Sequence, residues 1–507
     1  MAKPERDAAA EDAQFLRSGV LLNMLGYLFR IALPALSVFV IRVYGPRLFG
    51  VFVVAQLSLQ LVFRVGSLGL DRAALWWIAK QEGDERGADL FAMYFWVTLS
   101  SVVLALAIGF PAAGLIARWS GDEGAKVVLR SMAAGLVPMA LLEMSVHASM
   151  GTRDMAIRVF VRDVAVPTLQ LSGGLAMGLL GYKSVGLPLA YLLALTVGAA
   201  VATFRVRHLI GRPRVFVRSP AGALRLGDFW RVPRPVVQYA IPIWLSELAN
   251  SVVSRLDVYV IAQFMNAQAV GVYAAITQVA NALRAIRQSF DPVVLALCSK
   301  IDRQAEPERI RTGFTRATVA VMLIQFPMWA ALVCFDKYLF MLLGSAFEGG
   351  QHALWILSTC WLINGIIGLH GVLLLGWGRS DLILYNVGFT LLSQAGLLYW
   401  FTPRWGVTGA ALAVCLSYVC SNLLQWLQAR MVSGTGTYGR EMGRALGVAT
   451  AALAAMGGVL FVLKAALPDV DDLARSAASF GLFLLVGGIG YTSWLRPSTR
   501  PPEPSGS

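Results

Sequence analysis

Residues 239–291 read YAIPIWLSELANSVVSRLDVYVIAQFMNAQAVGVYAAITQVANALRAIRQSFD. Two apolar segments of membrane-crossing length run through this stretch, yet it carries Glu247, Arg255, Asp257, Arg284, Arg287 and Asp291. Charge inside so long an apolar run is costly unless it faces a protein interior or a watery cavity. A fainter copy of the pattern lies near the N-terminus. There Gly50-Val51-Phe52 precedes Arg64, and Arg64 precedes Asp71 by seven residues. Here Gly271-Val272-Tyr273 precedes Arg284, and Arg284 precedes Asp291 by seven. The pattern predicts two related halves closing around a charged central cavity.

Composition sets the class. Of 507 residues, 57% are hydrophobic and 14% charged, with a mean hydropathy of +0.64. A soluble chain carries about 25% charged residues. The apolar runs are long and continuous, unlike the short alternating segments of a membrane β-barrel. With roughly 20 residues per helical span, the reading is an all-α polytopic membrane protein of about 14 transmembrane helices. The spans fall near 18–42, 47–70, 90–115, 127–150, 159–181, 184–204, 236–263, 268–298, 314–335, 351–376, 381–402, 407–429, 444–466 and 476–495. Residues 1–17 read as a cytosolic tail, and 496–507, rich in proline and serine, as a disordered one.

An even number of spans puts both termini on one side. Most of the 43 lysines and arginines fall in loops of that side, the largest block being 205–235 with eight arginines and four prolines. The positive-inside rule makes that side cytosolic. These basic loops account for most of the net charge of +14 through topology and contact with anionic lipid, so no nucleic-acid partner is implied. The same segment divides the chain into an N-terminal lobe, 18–204, and a C-terminal lobe, 236–430, with an extra helix pair at 431–495. A second repeat signal supports the division: Val185-Gly186 with Ala190 matches Thr408-Gly409 with Ala413. Gly50 to Gly186 spans 136 residues and Gly271 to Gly409 spans 138. Six helices per lobe make the repeats parallel, related by an axis along the membrane normal. The five cysteines and four histidines show no metal-ligand spacing, and no Gly-rich phosphate loop occurs. No enzyme, cofactor or metal site is expected.

Several motifs carry a resemblance. They are Arg42-Val-Tyr-Gly-Pro-Arg-Leu-Phe-Gly-Val-Phe52, Gly69-Leu-Asp-Arg-Ala-Ala74, Tyr239-Ala-Ile-Pro242, Arg255-Leu-Asp257 and Val270-Gly-Val-Tyr273. In their order and spacing, over residues 18–430, the chain resembles the multidrug/oligosaccharidyl-lipid/polysaccharide (MOP) exporter superfamily, and within it the Wzx-like oligosaccharide flippases. The resemblance implies two six-helix lobes forming a V around a central cavity, with alternating access and no catalytic site. Fourteen spans exceed the twelve of drug antiporters and match the lipid II flippases of the MurJ type. The Arg-Asp of the latter's first span and the Asp-Ala-Phe of the following one are absent here.

The charged residues then divide by role. Arg30, about 18 Å from either end of the first span at 1.5 Å per residue, is too deep to snorkel comfortably. It is read as a cavity arginine for an anionic headgroup or as the partner of Glu143 or Glu247. Arg64, Arg255, Arg284 and Arg287 join it as candidates for a diphosphate, because the guanidinium fork matches phosphate oxygens and stays charged. Arg64, taken as six residues from the end of its span, has snorkelling as the plain alternative. Arg287 and Asp291, four apart, form a helix pair. Glu247, Asp257 and Glu143 are the candidates for ion coupling, since a buried carboxylate can carry a proton. Asp257 is expected to face Arg284 or Arg287.

The resemblance completes the expected function. The chain would flip a polyprenyl-diphosphate-linked oligosaccharide from the cytosolic to the outer leaflet of a bacterial inner membrane, for surface polysaccharide or exopolysaccharide assembly. It would act as a monomer among membrane lipids, beside a polysaccharide polymerase or synthase. A cation-coupled drug exporter of the MATE type and a lipid II flippase are the alternatives, and a non-transporting scaffold for a synthase is the reading from another class.

Overall fold

The computed structural model describes all residues except 1–2, 81–84, 109–113, 115–123, 153, 211–215, 219–223, 227–230, 292–293, 295–306, 378, 434–435, 467–470 and 496–507. Side chains before residue 33 lie outside the described residues, and so does the tail expected at 496–507. The apolar stretches read from the sequence are helical among the described residues. Among the described residues, nine helices are long and apolar enough to cross a membrane, or ten if one bent pair counts as a span. The protein is an all-α, multi-pass membrane protein. Its one addition to that reading is a pair of three-residue antiparallel strands, Phe216–Arg218 and Leu224–Leu226, inside the basic segment.

Backbone packing divides the chain into two compact units. The first comprises Met1–Ala285, Leu342–Leu357 and Leu384–Tyr418; the second comprises Ile286–Met341, Ser358–Ile383 and Val419–Ser507.

The first unit opens with α1 (Lys3–Ser67), two helices in register across a kink at Gly45. Gly45 has φ +73°, which a residue with a Cβ rarely adopts, and Pro46 then starts the next helix with its preset φ. After α1 come α2 (Leu70–Lys80), α3 (Glu85–Ala107), α4 (Gly124–Ala133) and α5 (Leu136–Gly151). A π-helical segment, Ile157–Ala165, leads into α6 (Val166–Leu179). Next are α7 (Gly186–Ile210), α8 (Arg234–Val253), α9 (Leu256–Phe264) and α10 (Ala267–Ser289).

The two glycines that mark the repeat meet inside this unit. A Cβ on Gly50 would fall 1.8 Å from the carbonyl oxygen of Ala267, and one on Gly271 would fall 1.8 Å from that of Pro46. Pro46 stands four residues before Gly50, as Ala267 stands four before Gly271. The contact is therefore reciprocal, as a pseudo-twofold relation between α1 and α10 requires. Nothing larger than hydrogen fits between the two backbones. The second repeat mark is also tightly packed: a Cβ on Gly186 would meet the Tyr44 hydroxyl at 2.3 Å, and that hydroxyl donates to the carbonyl of Gly174 at 2.8 Å.

The span expected at 47–70 does not end there. The chain breaks at Leu68 and Gly69, with φ of +48° and +73°, and the helix resumes as α2. Arg64 consequently stands just before a break, three residues from the end of the apolar helix at Ser67, and α2 runs on beyond it. Broken backbone at membrane depth must find internal partners. The Arg64 carbonyl accepts the indole N–H of Trp244 at 2.8 Å. Gly69 lies so close to α8 that a Cβ would be 2.4 Å from the Ala240 oxygen. The α8–α9 break is served likewise, with the Gln394 amide donating to the carbonyl of Val253 at 3.2 Å.

The second unit is built on α11 (Pro307–Cys334), followed by α12 (Asp336–Leu343). The helices α13 (Gln351–Ile367), α14 (His370–Gly376) and α15 (Ser380–Ser433, kinked at Gly406) contribute parts to it, and α16 (Arg440–Ala466) and α17 (Asp472–Leu495) complete it. The last two are the helices expected outside the repeat. They pack Ala452, Met456 and Phe483 against Val319, Met322, Phe326 and Ala330 of α11. Lys337 and Arg475 both bridge to Asp472, tying α12 to α17. The α13–α14 break is again filled: Tyr438 donates to the Ile366 carbonyl, Arg287 to that of Gly368 at 3.3 Å, and His370 Nδ1 to that of Ile367 at 2.7 Å. Large apolar side chains such as Met431 and Phe461 are three-quarters exposed, a surface suited to lipid.

Two outcomes follow. Gly50→Ala forces two backbones apart and is expected to destabilise by about 1–3 kcal/mol, read as a lowered melting temperature in detergent; Gly457→Ala, whose Cβ meets nothing within 4 Å, should match or exceed wild type. Trp244→Phe leaves the Arg64 carbonyl without its donor and should cost about 1–3 kcal/mol in the same measurement, while a variant as stable as wild type would mean that water replaces the indole.

Candidate ligand-binding cavity

A cavity of about 510 Å³ lies within the first unit. Its size is in the usual range for small-ligand sites, about 300–1,000 Å³. The C-terminal part of α1 contributes Gln56, Gln60 and Arg64, one helical turn apart and so on one face. From α5 comes Glu143, and from the π-helical segment Arg162. The other wall is α8 and the start of α9, with Glu247, Asn250, Ser251 and Arg255. Tyr191 and Tyr259 add ring surface.

Of the residues singled out in the sequence, the structure brings Arg64, Arg255, Glu143 and Glu247 to this one cavity. Glu143 pairs with Arg162 at 3.0 Å and Glu247 with Arg72 at 3.2 Å; the side chain of Arg30, the partner expected for either, lies outside the described residues. Asp257 accepts from the Tyr273 hydroxyl at 2.7 Å and from the backbone N–H of Val258 with its other oxygen, and Arg255 and Arg284 act on it electrostatically. Arg284 places its guanidinium 5.6 Å from the centre of the Tyr418 ring. Arg287 binds Asp291 at 2.9 Å, the helix pair expected from their spacing.

The seven-residue spacing of Arg64 and Asp71 proves to be an ion pair. Arg64 Nη1 donates to Asp71 Oδ2 at 3.0 Å, across the break at Leu68 and Gly69. Asp71 is fully buried, whereas the Arg64 side chain keeps some exposure toward the cavity. Arg162 repeats the arrangement, with the guanidinium on the cavity and buried Glu143 behind it. Two cavity arginines are thus held from behind by buried carboxylates. Behind Glu143, one helical turn on, lies His147, whose Nδ1 donates to the Glu143 carbonyl at 2.8 Å. The wall between α2 and α8 is closed by Arg72 with Glu247 and by Trp76 stacked on Tyr239, centroids 4.4 Å apart.

Sequence reasoning missed Arg162, Asp71, Arg72 and His147 as cavity or supporting residues. Asp71 and Arg72 were on view in the Gly69–Ala74 motif, but that motif reads as a span end. Arg158 and Arg162, four apart at the head of an apolar run, were a usable signal of a charged helical face. His147 offered only its turn-spacing from Glu143.

The comparisons with known proteins agree with this fold. The family described as polysaccharide biosynthesis protein matches residues 39–349. The teichuronic acid biosynthesis protein TuaB of Bacillus subtilis (strain 168) is 26% identical over 188 residues, covering 36% of this chain and 38% of that protein. The match therefore spans well under half of the relative's length. Among solved structures, lipid II flippase MurJ in an inward closed conformation superposes with a TM-score of 0.73 at 12% identity, covering 94% of this chain and 100% of that one. A multidrug resistance MATE family transporter of the MOP superfamily, inward-facing, gives 0.57 at 16% identity, with 82% and 94% covered. With 39–349 matched and the fold shared, this chain belongs to the polysaccharide biosynthesis protein family and has the membrane-transporter fold of the MOP superfamily.

Proposed function

We propose that this protein is a flippase for a polyprenyl-diphosphate-linked oligosaccharide. It would carry the headgroup from the cytosolic to the outer leaflet of a bacterial inner membrane by alternating access. The carrying observation is a cavity on which three arginines from three segments, Arg64, Arg162 and Arg255, converge. Guanidinium forks suit a diphosphate, whose oxygens they can bind in pairs. Around them stand amide and hydroxyl groups, Gln56, Gln60, Asn250 and Ser251, and the rings of Tyr191 and Tyr259. Those are the groups that hydrogen-bond sugar hydroxyls and stack on sugar faces. A cavity of about 510 Å³ takes a diphosphate and the first sugars, and the lipid tail stays in the bilayer. Arg30 and Arg284 remain proposed as further arginines for the diphosphate, and Arg287 donates to the carbonyl of Gly368 at the α13–α14 break. Family membership and the TuaB likeness favour surface polysaccharide as the destination.

The basic loops support cytosolic termini, and a polysaccharide polymerase or synthase is the partner the pathway would need. A MATE-type drug exporter handling cations is disfavoured, because the lining carries three arginines against Glu143 and Glu247. Lipid II is itself a diphosphate-linked sugar, so the cavity chemistry admits it, and only lipid analysis separates the two. Deleting the gene should accumulate one polyprenyl-linked sugar species, identified by mass spectrometry of extracted lipids. In proteoliposomes, Arg64→Ala and Arg162→Ala should each lower transport about 10–100-fold, the value of one or two lost charged hydrogen bonds, at unchanged membrane abundance. Arg30→Ala is expected to abolish transport as well. Full transport by all three variants would sink the diphosphate reading.

A further inference from the structure

At the cavity wall, where Glu143 is part of the lining, Asp71 of α2 and Glu143 and His147 of α5 come together, all buried, with one ligand-type atom of each within 4.8 Å of the others. Asp71 Oδ2 lies 3.9 Å from His147 Nδ1. The second oxygens, Asp71 Oδ1 and Glu143 Oε2, are buried and meet no hydrogen-bond partner among the described residues. A buried carboxylate oxygen without a donor is expensive. Such an oxygen is relieved when a cation or a proton reaches it.

The charges around the cluster say what. Facing it are Arg64 from α1, Arg72 from α2, Arg162 and Asp163 from the π-helical segment, and Glu247 from α8. Tyr94 of α3 reaches the same helix through Ser145 at 2.7 Å, and Tyr191 comes from α7. Arg64 and Arg162 already occupy one oxygen of each carboxylate. With His147 neutral, Arg64, Arg72 and Arg162 stand against Asp71, Asp163, Glu143 and Glu247, one carboxylate more than there are arginines. A divalent metal would bring its charge beside guanidiniums that already lie 3.0 Å from the same carboxylates. A dianion entering the cavity has the opposite effect. It draws Arg64 and Arg162 toward itself and leaves Asp71 and Glu143 as uncompensated buried charges. The small cation that can then reach an enclosed carboxylate or imidazole is a proton, taken from cavity water to form an O–H or N–H bond.

We propose that Asp71, Glu143 and His147 form a buried proton-binding centre that is loaded when an anion occupies Arg64 and Arg162. Of the three carboxylates singled out in the sequence for ion coupling, Glu143 belongs to this centre, while Glu247 pairs with Arg72 and Asp257 accepts from Tyr273. The inference rests on the diphosphate reading of the cavity. By linkage the effect is mutual: protonation frees the arginines, and anion affinity falls as pH rises.

The test uses the purified full-length protein, with inorganic pyrophosphate as probe and a pH dye in weak buffer. Wild type should take up about one proton per bound pyrophosphate beyond the ligand's own, which is common to every variant. Glu143→Gln, fixed in the neutral form, should bind at least as tightly as wild type at low pH, with no such uptake and a flat pH profile. Asp71→Asn and His147→Gln should each reduce the uptake. Binding by wild type without proton uptake, or with uptake unchanged in all three variants, overturns the centre while leaving the anion site standing. Sodium-dependent binding in place of proton uptake overturns it too. Failure of wild type to bind pyrophosphate defeats the diphosphate reading. Since the loading requires the bound anion, that outcome overturns the centre as well.

Discussion

The contact of Gly50 with Gly271 is the constraint on which the first unit depends. Each backbone stands where the other's Cβ would be, with the carbonyls of Ala267 and Pro46 as reciprocal partners. Close approach of this kind is how helices associate in lipid, where no hydrophobic difference drives them together. It fixes the spacing of α1 and α10, the two helices that carry the repeat. Arg64 lies fourteen residues beyond Gly50 on α1, about 21 Å along the axis. The glycine contact is therefore at one end of that helix and the charged groups at the other. A side chain at either glycine would move the cavity wall without touching the cavity.

The second constraint is the broken helix. Each break described here exposes carbonyls, and each is met by a side chain from a neighbouring segment of the same unit: Trp244 at Arg64, Gln394 at Val253, Tyr438 and Arg287 at Ile366 and Gly368. The donors are large residues fixed by packing, so the breaks are held shapes. A break also turns the helix path, and that lets residues seven apart, Arg64 and Asp71, face each other. An unbroken helix would advance them by nearly two full turns, about 10 Å apart along the axis. Function here is placed by interruptions in the helices as much as by the helices themselves.

This explains how much was legible in the sequence. Long apolar runs gave the class, Gly45-Pro46 gave the first connection, and paired Gly-Val-aromatic motifs gave the repeat whose glycines turn out to touch. Arg64, Arg255, Glu143 and Glu247 were legible because charge in an apolar run is anomalous wherever the run folds. Their partners were not. Pairing with Arg162 or Arg72 depends on how distant helices pack, and periodicity along one helix carries no trace of that. The pairing of Arg64 with Asp71 was hidden for a definable reason: Leu68-Gly69 reads as a terminus, and the helix resumes after it with Asp71 turned back toward Arg64. Arg30 was the sharpest anomaly of all, and its side chain lies outside the described residues.

The paired arginines also bear on a conflict that the proposed diphosphate flippase would face. A bare arginine buried in an apolar wall is costly to insert, about 2.5–3.5 kcal/mol at mid-membrane, and binds any passing anion. An arginine fully neutralised by a buried carboxylate is affordable but satisfied, with little left for a ligand. Arg64 and Arg162 lie between these limits. Each gives one contact to a carboxylate behind it, at 3.0 Å in both cases, and each keeps part of its guanidinium on the cavity. The carboxylates hold the arginines in place while the cavity is empty and compete with the ligand when it is full. Removing one such carboxylate leaves a buried cation unpaired, a loss of roughly 3–5 kcal/mol in comparable sites, whereas protonating it in place does not remove its shape or its remaining hydrogen-bond capacity. On the proposed reading, a reversible neutralisation of Asp71 or Glu143 would loosen the arginine's hold without collapsing the wall, because the carboxyl keeps its place beside the guanidinium.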